Sequence, residues 1–429
     1  MKTILPLLLC AALLLAGCAS PLPGSGSVED GITAITLSGD RASIRGAGAS
    51  ADGSLVLIYE SGVYSVTGEF SDGQLLVDTG DQPLEVTVIL DNARITNLSG
   101  PALYVRQAKD FSLQLASGSD NLLRSGEENW VSADPNASGA ALYAEDDLDI
   151  DGAGKLTVEG WLNNGIGCKN DIDLNYGNVI VTAVNHGVRA KNSIQIRGGS
   201  LSVSCLGDGL KTAEENREDK GWIEISDGEI QIEAWGDGIQ AARELRISGG
   251  TLAVTARGDG SDSGSKALKA GLNLEISGGS LNLTALEDAV RSGGSVTVSG
   301  GNLELLSQAG DAIQAGTEAT GAGLLRVTGG QITVSQCRQA LKGQEGVWLE
   351  GGSVLALCQT DKQTAPDRSD LGYLLCPFSG DEGDRILVEN RSVTAAGSFL
   401  FVFCADSSLV PGSRVPVSGP NGQVQSAVN

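Results

Sequence analysis

One stretch decides the fold: Asn185-His186-Gly187-Val188-Arg189-Ala190-Lys191-Asn192-Ser193-Ile194-Gln195-Ile196-Arg197-Gly198-Gly199-Ser200-Leu201-Ser202-Val203-Ser204-Cys205-Leu206-Gly207-Asp208-Gly209. It holds three short apolar alternations: Val188 with Ala190, Ile194 with Ile196, then Leu201, Val203 and Cys205. Gly198-Gly199 separates the last two, and the turn pair His186-Gly187 returns as Asp208-Gly209 after 22 residues. Period-two alternation buries one face of a strand, and glycine supplies the positive φ expected where the chain turns a corner. Three such strands cannot enclose a core alone. They need copies stacked above and below.

The copies are present. The turn recurs as Asn164-Gly165, His186-Gly187, Asp208-Gly209, Asp237-Gly238, Asp259-Gly260, Asp288-Ala289, Asp311-Ala312 and Gln339-Ala340, in steps of 22, 22, 29, 22, 29, 23 and 28 residues. Paired glycines recur at 249–250, 278–279, 300–301, 329–330 and 351–352. Weaker copies lie upstream: Ala102-Leu103-Tyr104 matches Ala141-Leu142-Tyr143, and Phe111 to Leu115 matches Leu148-Asp149-Ile150. The period predicts an all-β, single-stranded parallel β-helix with three sheets over residues 31–360. Ile32 to Asp78 is strand-rich but irregular and is expected to cap the first coil. Residues 361–429 lose the period, and Phe399 to Phe403 reads as a buried strand of a C-terminal β cap, which protects an open sheet end. No amphipathic run long enough for a helical solenoid occurs after residue 30.

Composition agrees. Sixty glycines in 429 residues, with 4% aromatics and one Met, suit a turn-rich fold with a narrow core of β-branched residues and Ala. The net charge of −24 argues against nucleic acid held through its phosphates. Cations, neutral polymers, and anionic polymers bridged by a divalent ion remain open as partners.

Lys2, the apolar run Ile4 to Leu15 and Leu15-Ala16-Gly17-Cys18 read as a lipoprotein signal over residues 1–17. Cys18 is then the lipid attachment point and residues 18–30, containing Pro21 to Ser27, a tether; the expected location is extracytoplasmic, on a bacterial membrane or cell surface. Of the other cysteines, Cys168 and Cys205 occupy Ala slots and are expected as small buried hydrophobes. Cys337 and Cys358 fall in slots of opposite parity and are expected to point apart, which leaves Cys376 with Cys404 as the disulfide candidate.

Several segments, in order, carry a resemblance: Asp72 to Asp78 (DGQLLVD), Asn97 to Val105 (NLSGPALYV), Ala140 to Leu148 (AALYAEDDL), Asn163-Asn164-Gly165-Ile166 and Gly207 to Thr212 (GDGLKT). Over residues 31 to 418 the chain resembles the bacterial carbohydrate-binding β-helix lipoprotein family. That resemblance implies a right-handed parallel β-helix related in fold to pectate lyases, bound calcium, and affinity for cellulose-like and pectic polysaccharides without established catalysis. The chain departs from the family pattern at His186 and Gln339, where an acid is usual, and at Arg291 and Gln314, where His is expected.

Strands of adjacent coils are about 4.8 Å apart, so the turn aspartates Asp208, Asp237, Asp259, Asp288 and Asp311 should stack as a column. Such a column is tolerated if turn N–H groups bond the carboxylates, if cations sit between them, or if a neighbouring column neutralises them. Lys211, Lys269 and Arg291 supply that neighbour. Calcium is expected where more oxygens cluster: at Asp208 with Asp219 of an inserted loop, and at Asp259 with Asp262. Trp161 and Trp235 share an outward slot with Val184 and Leu206 between them, an apolar stripe expected to meet either a sugar or a covering loop. Lys211, Lys269 and Arg291 are candidates for contacting glycan, Trp130 and Trp348 weaker ones. The reading is non-catalytic binding of polysaccharide, calcium-assisted. A polysaccharide lyase, with Lys or Arg as base beside a carboxylate-held metal, and a spacer or adhesin without glycan ligand are its alternatives. His186 is the single histidine and has no nucleophile motif beside it, which argues against a Ser-His-Asp triad.

Overall fold

The structure, a computed structural model, describes residues 31–429 except 83, 127–138, 259–264, 318–320 and 362. Cys18, Trp130, Asp259 and Asp262 therefore lie outside the described residues. Each repeat gives one strand to each of three faces. In the stretch quoted above these are Val188–Ala190, Ser193–Ile196 and Ser200–Cys205. They pair in parallel with Ile166–Cys168, Asp171–Leu174 and Asn178–Ala183 of the coil before. On the other side they pair with Leu210–Thr212, Trp222–Ile225 and Glu229–Ala234 of the coil after. First-face strands form a 13-stranded sheet in chain order. The second and third faces join into one 25-stranded sheet through the long bent strands Glu85–Asn97, Leu324–Cys337 and Gly346–Cys358. The result is a parallel β-solenoid of about 11 turns, with no helix among the described residues.

Alternation sets the core. Val158, Val181, Val203, Ile232, Val254, Leu283, Leu305 and Val334 are in register across the third face, and none is more than 2% exposed. Each such side chain contributes roughly 1.5–3 kcal/mol by leaving water, and a stack of them along the axis holds coil to coil.

The two kinds of glycine corner have different causes. In the Gly-Gly turn the second residue is left-handed, as at Gly250 (φ +82°) and Gly279 (φ +89°). The first is required by close approach: a Cβ on Gly249 would lie 2.2 Å from the Ser226 carbonyl oxygen of the coil below. At the Asp-Gly corner the expected positive φ is not found. Those glycines leave room for a neighbouring core side chain, as where a Cβ on Gly187 would lie 2.2 Å from Val203 Cγ1. Later coils accordingly carry Ala267, Ala289, Ala312 and Ala340 in the same slot, all buried.

At the N-terminus the solenoid starts earlier than its irregular sequence suggests. Ile32–Gly39 already stacks in parallel on Gly62–Phe70, and Leu55–Ile58 on Gln74–Asp78, with antiparallel Arg41–Arg45 and Ala49–Asp52 as the closing strands. At the other end parallel pairing gives way to antiparallel. Phe399–Asp406 pairs with Ser353 to Cys358 of the last coil and with Gly372–Gly380. A four-stranded sheet from Arg385–Val388, Arg391–Thr394, Arg414–Gly419 and Gly422–Ala427 adds a second core that includes Phe378, Ile386, Phe399 and Val417.

Cys168 and Cys205 are buried in register with Ala144 and Ala190, and with Ala183 and Ala234. The expectation for Cys337 and Cys358 was wrong. A bulge between Val334 and Cys337 restores their parity, so they are register partners with sulfurs 3.7 Å apart, both fully buried. Cys376 faces Val402 while Cys404 faces Leu374, and both are free thiols.

Candidate functional site

The turn entering the first face stacks Asn164, His186, Asp208, Asp237, Lys266, Asp288, Asp311 and Gln339. Lys266, not Asp259, follows Asp237. The register Ile239↔Leu268 places Gly238 beside Ala267, so the extra residues of this coil enter before its corner. Sequence favoured Asp259-Gly260 because it repeats the dipeptide; strand pairing decides otherwise.

Five of these corner side chains satisfy the backbone of the next coil. Asn164 Oδ1 accepts from the His186 N–H at 3.2 Å, His186 Nδ1 from Asp208 at 3.0 Å, and Asp208 Oδ1 from Asp237 at 2.8 Å. Asp237 Oδ1 accepts from Lys266 at 2.9 Å and Asp288 Oδ1 from Asp311 at 2.7 Å. The remaining carboxylate oxygens face cations. Lys211 Nζ lies 2.7 Å from Asp208, Lys269 Nζ 2.8 Å from Asp237 and Arg291 2.8 Å from Asp288. Arg338 grips Asp311 with two bonds of 3.0 Å, with Lys342 Nζ at 3.8 Å. Burial raises the Asp237 carboxyl above its ordinary range, with Lys269 opposing.

These carboxylates do not fit calcium. The ion requires six to eight oxygens, whereas Asp208, Asp237, Asp288 and Asp311 are buried and already held by ammonium, guanidinium or backbone N–H groups. Asp219 is not near this column. It lies on an exposed loop after the strand Leu210–Thr212 and pairs with Arg217 at 2.9 Å. Among the described residues no three His, Cys, Asp or Glu converge as a metal set.

Where the corner acid is replaced by Lys266 or Gln339, the cation three residues on turns to the aspartate of the coil before, Lys269 to Asp237 and Lys342 to Asp311; at His186 it does not. His186 is held neutral: burial, then the Lys211 charge, push its pKa down to about 4. Arg189, three residues on, has no ion pair or side-chain hydrogen bond among the described residues. It belongs to the outward column of the first face, in register Tyr104, Tyr143, Gly167, Arg189, Lys211, Gln240, Lys269 and Arg291. Tyr143 leans over Gly167, where a Cβ would meet its ring at 3.1 Å. The Tyr104 and Tyr143 ring centroids are 5.6 Å apart at 40°. Glu145 accepts from the Tyr104 hydroxyl and from Lys169 Nζ, and these bonds outweigh its burial to lower its pKa. The Ala-Leu-Tyr repeat marks stacked coils in the sequence without showing that its two rings adjoin; outward parity is the signal available there.

The corner leaving the third face carries the predicted stripe. Trp161, Val184, Leu206, Trp235, Arg257 and Leu286 form one ladder of backbone bonds, with Leu206 60% and Trp235 47% exposed. Trp161 is half-buried and its Nε1 donates to Glu159 at 3.3 Å. Trp348 lies under the Arg368 guanidinium, 5.6 Å from its ring centroid. A second feature went unread: a cleft of about 280 Å³ on the second face, lined by Asp147, Asp149, Asp171, Asp173 and Trp222 among others. Lys220 of the inserted loop reaches Asp171 at 2.8 Å, and Arg197 reaches Asp173 at 3.2 Å. Burial and neighbouring aspartates raise the Asp147 and Asp149 carboxyls.

Comparison with known proteins agrees with this architecture. A solved structure described as the polysaccharide lyase-like protein from C. thermocellum, in a gadolinium derivative, superposes with a TM-score of 0.50 at 33% identity, covering 53% of this chain and 92% of that one. A carbohydrate-binding domain-containing protein of Acetivibrio thermocellus is 38% identical over 129 residues, 30% of this chain; the chain spans 45% of that relative's length. The model of the carbohydrate-binding domain-containing protein family matches residues 52–312, which include the corner column as far as Asp311, both tyrosines and the tryptophan ridge, and the chain belongs to that family.

Proposed function

We propose that the chain is a non-catalytic polysaccharide-binding protein, directed to cellulose-like or pectic glycans and displayed on a cell surface by a lipid on Cys18. Family membership supports the ligand class. The observation that carries the reading is the ridge Trp161, Val184, Leu206 and Trp235, which runs along the solenoid with Leu206 and Trp235 open to solvent. Apolar ridges of this kind are kept where a ligand covers them, and flat rings with polar edges suit pyranose faces. Binding is favoured over lyase chemistry because Lys211, Lys269 and Arg291 turn their nitrogens onto buried corner carboxylates. A base has to be aimed at the substrate proton.

Calcium assistance belongs to this proposal without the corner column. Asp147 and Asp149 form no ion pair among the described residues, with Lys220 and Arg197 engaged by Asp171 and Asp173, so a divalent ion held there would take the rest of its oxygens from a ligand carboxylate and water. Retention of the chain on insoluble cellulose and on pectin, with and without chelator, tests the reading. Retention on either is expected, with chelator weakening the pectin arm; no retention on either removes the proposal in favour of a spacer. Unsaturated products from polygalacturonate, seen as rising ultraviolet absorbance, would establish the lyase instead.

A further inference from the structure

We propose that Tyr104, Tyr143 and Arg189 form a subsite on the first face for a pyranose ring bearing a carboxylate. The inference rests on the glycan-binding reading above and places one ligand unit at a site separate from the tryptophan ridge.

Three observations converge. Tyr143 directs its ring toward the next coil. With no side chain on Gly167, its ring lies over the next coil, and the Tyr104 ring adjoins it at 5.6 Å. Two half-buried rings thus form one continuous apolar surface on a rigid sheet. Next in register stands Arg189, two coils or roughly 10 Å from Tyr143 along the axis before the ring's lean shortens the gap. Lys169 and Arg189 both act electrostatically on the Tyr143 hydroxyl, which places positive charge at the rim of the platform.

The release of Arg189 is specific to its coil. Lys211 and Arg291 stand in the same outward slot and each closes onto the aspartate three residues before it. Before Arg189 stands His186, neutral and spent on the Asp208 N–H. A guanidinium without a carboxylate, beside an aromatic platform, matches a sugar acid: the ring stacks and the carboxylate takes the two-pronged bond that the protein leaves unmade. Glu145, engaged by Tyr104 and Lys169, is oriented to accept a ring hydroxyl.

The test uses the full chain and two soluble probes, oligogalacturonate and cello-oligosaccharide, titrated by calorimetry in chelator so that metal bridging does not contribute. Arg189→Gln should weaken oligogalacturonate binding tenfold or more while changing cello-oligosaccharide binding less than twofold. His186→Asp, which supplies Arg189 with the carboxylate that other coils have, should reproduce that loss. Tyr143→Ala should weaken both probes, and Tyr143→Phe should retain binding, which separates stacking from a folding defect. If the unaltered chain binds oligogalacturonate and none of Arg189→Gln, His186→Asp or Tyr143→Ala weakens it, the subsite is overturned and the glycan reading stands. If the unaltered chain binds cello-oligosaccharide but not oligogalacturonate in chelator, the subsite alone falls; if it binds neither probe in chelator or in calcium, both fall.

Discussion

The coil that opens at His186 and the coils that open at Asp208 and Asp288 share one corner geometry and differ there in the side chain that caps it. In both settings the corner side chain accepts the N–H of the next coil. Only the aspartates have a second oxygen, and that oxygen holds the Lys or Arg three residues on. The comparison teaches that the corner acid has two separable tasks, turn capping and charge pairing. Histidine retains the first and abandons the second, which converts an internal counter-ion into a cation available to a ligand.

The largest effect is expected where pairing is most buried. Arg338→Ala should destabilise the fold by about 3 kcal/mol in denaturant unfolding, because Asp311 is fully buried and Lys342 at 3.8 Å replaces only part of the lost bonds. Arg189→Ala should cost less than about 0.5 kcal/mol, since no buried partner is left behind. Equal costs for the two would break the distinction between the coils.

Next comes pH. His186 ionises near 6.5 when unfolded and near 4 in the fold, so the unfolded chain takes up its proton first. Its contribution is complete above about pH 6.5 and is lost as pH falls toward 4, on the order of 2–3 kcal/mol. His186→Gln, the residue type found at corner position 339, should flatten the unfolding midpoint across that interval. An unchanged slope would mean that His186 is not held neutral.

The smallest change in stability should come at the ridge. Replacing Trp161 and Trp235 together by Ala should leave the unfolding midpoint nearly unchanged and weaken cellulose retention about five- to tenfold, roughly 1–1.4 kcal/mol. Undiminished retention would move neutral-glycan binding off the ridge.

Much of the fold was legible because a solenoid writes its geometry as a period. Val188, Ile194 and Leu201 announce three faces, and Gly198-Gly199 marks the corner between two of them. Insertions blur that legibility. Asp259-Gly260 imitates a corner, yet the pairing of Ile239 with Leu268 gives the position to Lys266. The bulge before Cys337 likewise reverses a parity that counting residues cannot detect. Of the candidate site, the acid column and the tryptophan ridge could be read from slots, whereas the tyrosine platform depends on how a ring lies across its neighbour.

The chain by itself determined that there would be stacked coils, which residues face inward, and which share a column, because these follow from periods of two and about 22 along the backbone. Only the tertiary structure decided which columns are spent on each other. Whether Lys211 turns toward Asp208, whether Tyr143 lies over Gly167, and whether Arg189 stays unpaired are matters of distances between coils. Charge pairing and ring contact act across a few ångströms of space, and a linear pattern does not contain those distances.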